Sequence, residues 1–317
     1  MIKTTAHIFG AFLLALSASQ ALAKGLTIVT DIAPVRAIVE DVAGEQHIVE
    51  QLVSGQVSPH DFVLKPSDVR RVQKADLIIW LGPDATPALA KLLLAPEFRA
   101  KSLDLNALEG VHLLEPRKAG LFLPDEEEDG HAHDEDHAEE EHHGHHHGAD
   151  PHSWLAPENA TLWAGAIAEH LAQTDPGAGE DFRKNAEALS AEIDASVELA
   201  QKQLQDPARP FVVFHDGFQY FEESFGLSAI GAVTSEDEEA TSLGIVSALR
   251  DALSIHDEAC VFVASPAQQD QAAPLFDSAP VFFGRIDALG RSLPEGFTYP
   301  ELLTSVAEGF ADCLNPS

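Results

Sequence analysis

The chain alternates between short apolar runs and longer segments with apolar residues at every third or fourth position. The first pattern is that of buried strands, the second that of helices with one face toward a core. Residues 26–30 read as a strand, and 34–42 have helical spacing that stops at Gly44. Residues 47–53 read as a second strand, followed by a loop over 54–64. Ser67 reads as a helix N-cap, with Val69, Val72 and Ala75 on one face of the helix it opens. Residues 77–81 are apolar throughout, as expected of a strand covered on both faces of a parallel sheet. Gly82-Pro83 ends that strand, and 86–94 makes another helix. Strands alternating with helices predict an α/β fold with a mostly parallel sheet.

A helix over 157–172 follows. Then Phe182, Ala186, Leu189, Ile193, Val197, Ala200 and Leu204 fall at spacings of three and four. They form one apolar stripe on a helix of about seven turns. Such a helix is either a rigid connector between two α/β halves or a surface helix within one domain. The alternation then returns, with strands over 210–214, 228–233, 260–264 and 281–284 and helices over 216–224, 243–253 and 299–313.

The segment 125–147 breaks the pattern. It holds eight histidines and eleven carboxylates, and no apolar residue larger than Ala. Such a run cannot bury enough surface to offset its ordering entropy, so disorder is expected over about 125–149. Imidazole and carboxylate are both metal ligands, and the run is either a metal-collecting segment or a solvated acidic linker. Residues 1–23 have the form of a secretory signal: Lys3, a short apolar stretch over 8–16, and an Ala21-Leu22-Ala23 cleavage site. That stretch is too short to span a membrane, so a protein exported without membrane insertion is expected, most simply to a bacterial periplasm. The net charge of −33 disfavours nucleic acid and anionic membrane as partners. Cys260 and Cys313 are the two cysteines. In an exported protein they most simply form one disulfide, the alternative being two thiol ligands.

In open α/β sheets, ligands bind beyond the carboxyl ends of the strands. His60 lies in the loop after the 47–53 strand, His215 directly follows 210–214, and Asp287 follows 281–284 by three residues. His152 stands at the entry to the 157–172 helix, in Asp150-Pro151-His152-Ser153-Trp154. Three imidazoles and a carboxylate make a good tetrahedral zinc site. Asp216 and Ser153 are candidates to accept the other N–H of a ligating histidine. Each candidate alone has a plainer reading as a loop, capping or turn residue, and their joint placement raises the metal reading. His47, His112, His170 and His256 stand alone and are assigned no role.

Ser58-Pro59-His60-Asp61-Phe62 with Lys65-Pro66-Ser67-Asp68, then Asp150 to Trp154, then Phe214-His215-Asp216-Gly217-Phe218-Gln219-Tyr220-Phe221, then Arg285-Ile286-Asp287-Ala288-Leu289-Gly290 resemble a known set of motifs. It is the set of the metal-binding receptors of ABC importers, and most closely of their periplasmic zinc-uptake branch. The resemblance covers essentially the whole chain after the leader, including the His/acid run and the cysteine pair. Its motifs are specific in combination and weak singly. It implies two lobes with mostly parallel sheets, 24–172 and 209–317, joined by one long rigid helix within 173–208. It implies Zn2+ in the cleft, held by His60 and His152 from the first lobe and His215 and Asp287 from the second.

The manganese-binding branch of the family tends to carry a carboxylate where His215 stands, and imidazole favours zinc. Pro59 replaces an acidic residue of some zinc members, Ala288 a common proline, and Ser265 a frequent Glu. The fourth ligand is thus Asp287, a water or a histidine of the run, with Asp287 expected. The run's His131, His133, His137, His142, His143, His145, His146 and His147 are expected to bind metal more weakly. The resulting expectation is a non-enzymatic, monomeric zinc receptor that delivers its ion to a membrane permease. Its rivals are a manganese receptor of the same family, a zinc buffer built on the run alone, and a secreted zinc hydrolase. The hydrolase would use three histidines to lower the pKa of a bound water, but the chain has no H-E-x-x-H motif.

Overall fold

The computed structural model describes residues 25–54, 57–122, 148–235 and 242–315. The expected leader, 1–23, and the run 125–147 with its eight histidines lie outside the described residues. Gly148 and Ala149, expected to belong to the disordered run, are placed: the Ala149 N–H donates to the Asp84 carboxylate (3.2 Å).

Four strands, β1 (Thr27–Thr30), β2 (Ile48–Gln51), β3 (Leu77–Trp80) and β4 (Ser102–Asp104), form a parallel sheet in the order β2-β1-β3-β4. The unbroken apolar run of β3 is buried at every position. Helices α1 (Ala33–Ala43), α2 (Pro66–Lys74), α3 (Pro87–Leu93) and α4 (Pro96–Arg99) make the connections. Each carries proline in its first turn, where a missing N–H costs nothing. Helix α2 therefore starts at Pro66, one residue before the expected cap at Ser67. Its N-cap is Lys65, whose N–H donates to the Asp68 carboxylate (2.9 Å). At the end of β1, Asp31 is fully buried and accepts from Ile32 N, Leu81 N and Thr86 Oγ1. It ties the carboxyl ends of β1 and β3 together, and burial pushes its pKa up.

The chain then leaves this sheet. Strand β5 (Gly120–Leu121) pairs antiparallel at the edge of the second sheet, so part of the 24–172 segment expected in the first lobe builds the other one. Helix α5 (Pro157–Thr174) returns to the first lobe, and the 25-residue helix α6 (Gly179–Gln203) follows. The apolar stripe of α6 is buried at Phe182, Ala186, Leu189, Ile193 and Ala200. Helix α6 packs on α5, on α1 and on the C-terminal helix, and so connects both halves.

The second sheet contains β6 (Phe211–His215), β7 (Gly231–Thr234), β8 (Ala259–Val263) and β9 (Val281–Arg285), in the order β5-β7-β6-β8-β9. Its helices are α7 (Gln219–Phe225), α8 (Leu243–Leu253), α9 (Pro266–Ala272) and α10 (Tyr299–Leu314). Two elements start later than their patterns predict. Helix α7 begins at Gln219 because Asp216 is held in extended pairing, its N–H on Thr234 O (2.9 Å). Strand β7 begins at Gly231 because Leu227 and Ala229 donate to the Glu222 carbonyl and carboxylate, which closes the turn after α7. Cys260 of β8 and Cys313 of α10 are bridged, with Cα atoms 6.2 Å apart. One buried apolar cluster runs from the first sheet through α5 and α6 to α10 and one face of the second sheet. A smaller cluster fills the other face, beneath α8.

Asp41 of α1 lies where α1, α6 and α10 approach one another. Its Oδ2 is buried without a hydrogen-bond partner. Desolvation, then the charges of Glu192, Glu40 and Glu301, push its pKa to about 6, with Arg36 opposing. A raised folded-state pKa means that the fold prefers the protonated form. The contribution is fully present below the unfolded pKa of 3.8 and lost as pH rises through about 6. Asp41→Asn should therefore raise the melting temperature by a few degrees near neutral pH and leave it unchanged near pH 4, read by scanning calorimetry at both.

Candidate metal centre

A cavity of about 570 Å³ opens beyond the carboxyl ends of the parallel strands of both sheets. His60, His152, His215 and Asp287 all line it, together with Pro59, Trp154, Gly217, Thr234 and Arg291. Each reaches it by a different local device. The loop after β2 closes as a turn, with Asp61 N on Ser58 O (3.1 Å) and Phe62 N on Pro59 O (3.3 Å). Pro59 and Phe62 are buried and anchor that turn, leaving His60 half-exposed at the cavity. His215 is the last residue of β6 and pairs in register with Thr234. His152 precedes a single 3-10 turn, Ser153–Leu155, all three residues of which are buried.

His152 is the middle ring of the three. Its centroid lies 5.5 Å from that of His60 and 5.3 Å from that of His215, each pair at 68°. Two imidazoles on one tetrahedral zinc, at about 2.0–2.1 Å per Zn–N bond, place their ring centres about 5 Å apart. The observed spacings are close to that separation. Among the described residues, no three His, Cys, Asp or Glu side chains already form a cluster able to hold an ion as they stand.

The aim of His152 is fixed from behind. Its Nδ1 lies 2.9 Å from the Asp150 carboxylate, and its own backbone N–H donates to the same oxygen (2.9 Å). A carboxylate on Nδ1 selects the tautomer with the proton there and leaves Nε2 with its lone pair. On the Nε2 side stands Gly217: a Cβ there would lie 2.9 Å from that nitrogen. Any side chain at 217 would therefore press on the His152 ring.

The two residues expected to accept from a ligating histidine are engaged elsewhere. Ser153 Oγ donates to Asn106 Oδ1 (2.8 Å). Asp216 accepts from Arg117 Nε (3.0 Å), and Arg117 also donates to Glu222 (2.8 Å), so one guanidinium joins two buried carboxylates. Desolvation raises the Asp216 pKa and Arg117 opposes it. The residue that does hold a histidine, Asp150, was legible as the carboxylate two places before His152. No local pattern marked Arg117.

Asp287 is turned into its own loop. Its carboxylate accepts from Leu289 N (3.2 Å) and Ser292 N (2.6 Å). The loop is clasped to the first lobe. Trp154 Nε1 donates to Ala288 O (2.8 Å), and Arg291 donates to Val57 O (3.3 Å), two residues before Pro59. Ser265, the third departure from the family motifs, caps α9 by accepting from Gln268 N (3.2 Å).

The family model described as zinc-uptake complex component A, periplasmic, matches residues 28–313. The chain belongs to that family. Members are periplasmic components of zinc-uptake complexes, with zinc as the bound ligand. This zinc-uptake component is 33% identical over 324 residues to the "High-affinity zinc uptake system protein ZnuA" of Paracoccus denitrificans (strain Pd 1222), with 99% of both chains covered. It is 31% identical over 330 residues to the protein of that name from Brucella suis biovar 1 (strain 1330), with 96% of both covered. Its fold is shared with the crystal structure of the Streptococcus pneumoniae AdcAII protein, at a TM-score of 0.72 and 24% identity over 92% of this chain and all of that one. Among the described residues no helix is long and apolar enough to cross a membrane.

The geometry at Gly217 can be tested directly. Gly217→Ala puts a methyl group against His152 Nε2. Overpacking costs of roughly 1–3 kcal/mol correspond to a loss of about ten- to a hundredfold in affinity. Zinc titration should read that loss, and because the methyl group meets the His152 ring with no ion bound, the metal-free melting temperature should fall with it.

Proposed function

We propose that this zinc-uptake component is a receptor that holds one Zn2+ in the cleft through His60, His152, His215 and Asp287. It passes the ion to the membrane permease of an ABC importer. In this reading residues 1–23 are removed on export to the periplasm and the protein works as a monomer. In the same reading the lobes are 24–172 and 209–317 about the helix within 173–208, with β5 lent to the second. The observation that carries the proposal is the central ring, His152, flanked by His60 and His215 at 5.5 and 5.3 Å. Capture and release ask for no general acid, base or nucleophile.

The imidazole of His215 favours zinc over manganese, which prefers carboxylate and water oxygens. Three neutral imidazoles with one carboxylate offset part of the ion's charge and complete a tetrahedron. The ion itself draws the donors through the last distance. Asp287 keeps lone pairs beyond those its loop uses, and it lines the same cavity as His60. The histidines of the run, His131 to His147, bind further zinc with lower affinity, since the chain must order itself around each ion.

Calorimetric titration of the full-length mature protein should resolve one tight zinc site and a weaker class. Deleting 125–147 should remove only the weaker class. His215→Ala should abolish the tight site. Asp287→Ala should weaken it less, because water can take the vacated position. A tight site that survives His215→Ala, or disappears with 125–147, would overturn the assignment.

Acid should compete with zinc. Ligating imidazoles bind as neutral rings, and imidazole side chains ordinarily titrate near about 6.5. Competition with a zinc chelator should therefore read a falling affinity from pH 7.5 to pH 5.5. A flat profile would count against an imidazole site.

A further inference from the structure

Gln219 is the first residue of α7, in the second lobe, yet its side chain ends beside the first lobe's histidine. Its amide uses both N–H groups: one donates to Asp150 Oδ2 (2.9 Å) and one to Glu115 O (2.8 Å). The other oxygen of Asp150 is the one on His152 Nδ1. The next residue, Tyr220, donates its O–H to Asp150 O (2.9 Å) and accepts from Leu114 N (3.0 Å). Asp150 N in turn donates to Leu114 O (2.8 Å). Asp150 is 2% exposed, so these groups stand in for the water it has lost.

We infer that Gln219 is a positioning residue for zinc capture, acting through Asp150 to fix the tautomer and aim of His152. The relay runs from an amide of the second lobe, through a buried carboxylate, to a ring of the first. An ionised carboxylate has two oxygens to satisfy. With Oδ2 held by Gln219, the other is free to face Nδ1 and to keep the proton on that nitrogen. If Oδ2 loses its donor, the carboxylate can rotate, and the ring loses its fixed partner. Because Gln219 lies only four residues after His215, one short segment contributes a ligand and orients another across the lobe boundary. The inference rests on the reading of His152 as a zinc ligand.

Gln219→Met keeps the length of the side chain and removes both donors. It should weaken zinc binding by about 10–100-fold, the usual cost of losing an outer hydrogen bond behind a metal-bound histidine. The decisive measurement is the cycle with His152→Ala on the folded, full-length mature protein. In the His152→Ala background, Gln219→Met should have no further effect on affinity. Cobalt(II) offers a second readout: its visible absorption reports ligand geometry and should shift in Gln219→Met. Gln219→Glu, which sets a carboxylate against Asp150, should be at least as weak as Gln219→Met.

A Gln219→Met protein that binds zinc and cobalt like the wild type, while His152→Ala does not, overturns the relay and leaves the site standing. An equal loss in both backgrounds assigns Gln219 a purely structural role and also overturns it. Should His152→Ala itself bind zinc normally, the fault lies with the ligand assignment. If Gln219→Met lowers the metal-free melting temperature, Gln219→Asn, which keeps the donors on a shorter arm, separates packing from aim: partial recovery of the cobalt spectrum supports the relay, and none overturns it.

Discussion

A carboxylate taken out of water must be solvated by the protein, and Asp150 is solvated by both lobes at once. The second lobe supplies the Gln219 amide and the Tyr220 hydroxyl, and the crossing segment supplies Leu114 O to the Asp150 N–H. What remains of the carboxylate faces His152. The arrangement cannot be kept by one lobe alone, since removing either side would leave a buried charge short of partners, a loss of several kcal/mol. The aim of one ring in the cleft is thus a property of the lobe interface. Trp154 extends the same constraint: its indole holds Ala288 O, and its carbonyl accepts from Tyr299 at the head of α10. His152 and the Asp287 loop are in this way fixed to one buried turn.

The apolar core answers to the same boundary. The larger cluster passes from Ile28 and Ile79 in the first sheet, through Trp163 and Ile193, to Phe310 and Phe262 beside the second. Helix α6 is therefore packed along its length and does not stand as an open strut between separate bodies. A wide hinge would have to part α6 from α5 or α10 and expose core residues. Burial of each such side chain is worth roughly 1.5–3 kcal/mol. Movement that costs little is left to the loops at the cleft, such as the half-exposed His60 turn. The disulfide adds to this stiffness from the far side, binding α10 to the central part of the second sheet.

Much of this could be read from residue order. Periodicity was enough for β3, α6, α8 and α10, where long or unbroken patterns leave one interpretation. Three of the four cavity-lining candidates were found by asking which donors follow strands, because a parallel sheet sends all its carboxyl ends to one side, and His152 by its place at the entry to a helix. What escaped has a common cause. Strands β4 and β5 are three and two residues long, too short for any period to register. That β5 joins the second sheet depends on pairing with residues more than a hundred positions away. Arg117 and Gln219 matter through contacts of long range, which also engage Ser153 and Asp216 elsewhere, whereas Asp150 lay within local reach, two places before His152. Local pattern reports which face a residue shows and leaves open what it meets.

That distinction bears on the fourth position of the site. Sequence offers Asp287 as a carboxylate in the right loop. The structure adds that both its oxygens already accept backbone N–H groups within that loop. These bonds cost the carboxylate none of its charge and use only part of its accepting capacity. They restrict its rotamers before an ion arrives, which lowers the entropy lost on binding. A ring such as His152, held by Asp150, is preorganised by its neighbours. Asp287 is preorganised by its own turn, and that turn is clasped to the first lobe through Trp154 and Arg291. The donor most exposed to loop motion is therefore also the one whose loop reports on contact between the lobes. In the proposed site, a change that loosens the clasp would reach the ion through Asp287 first, while His152 kept its aim.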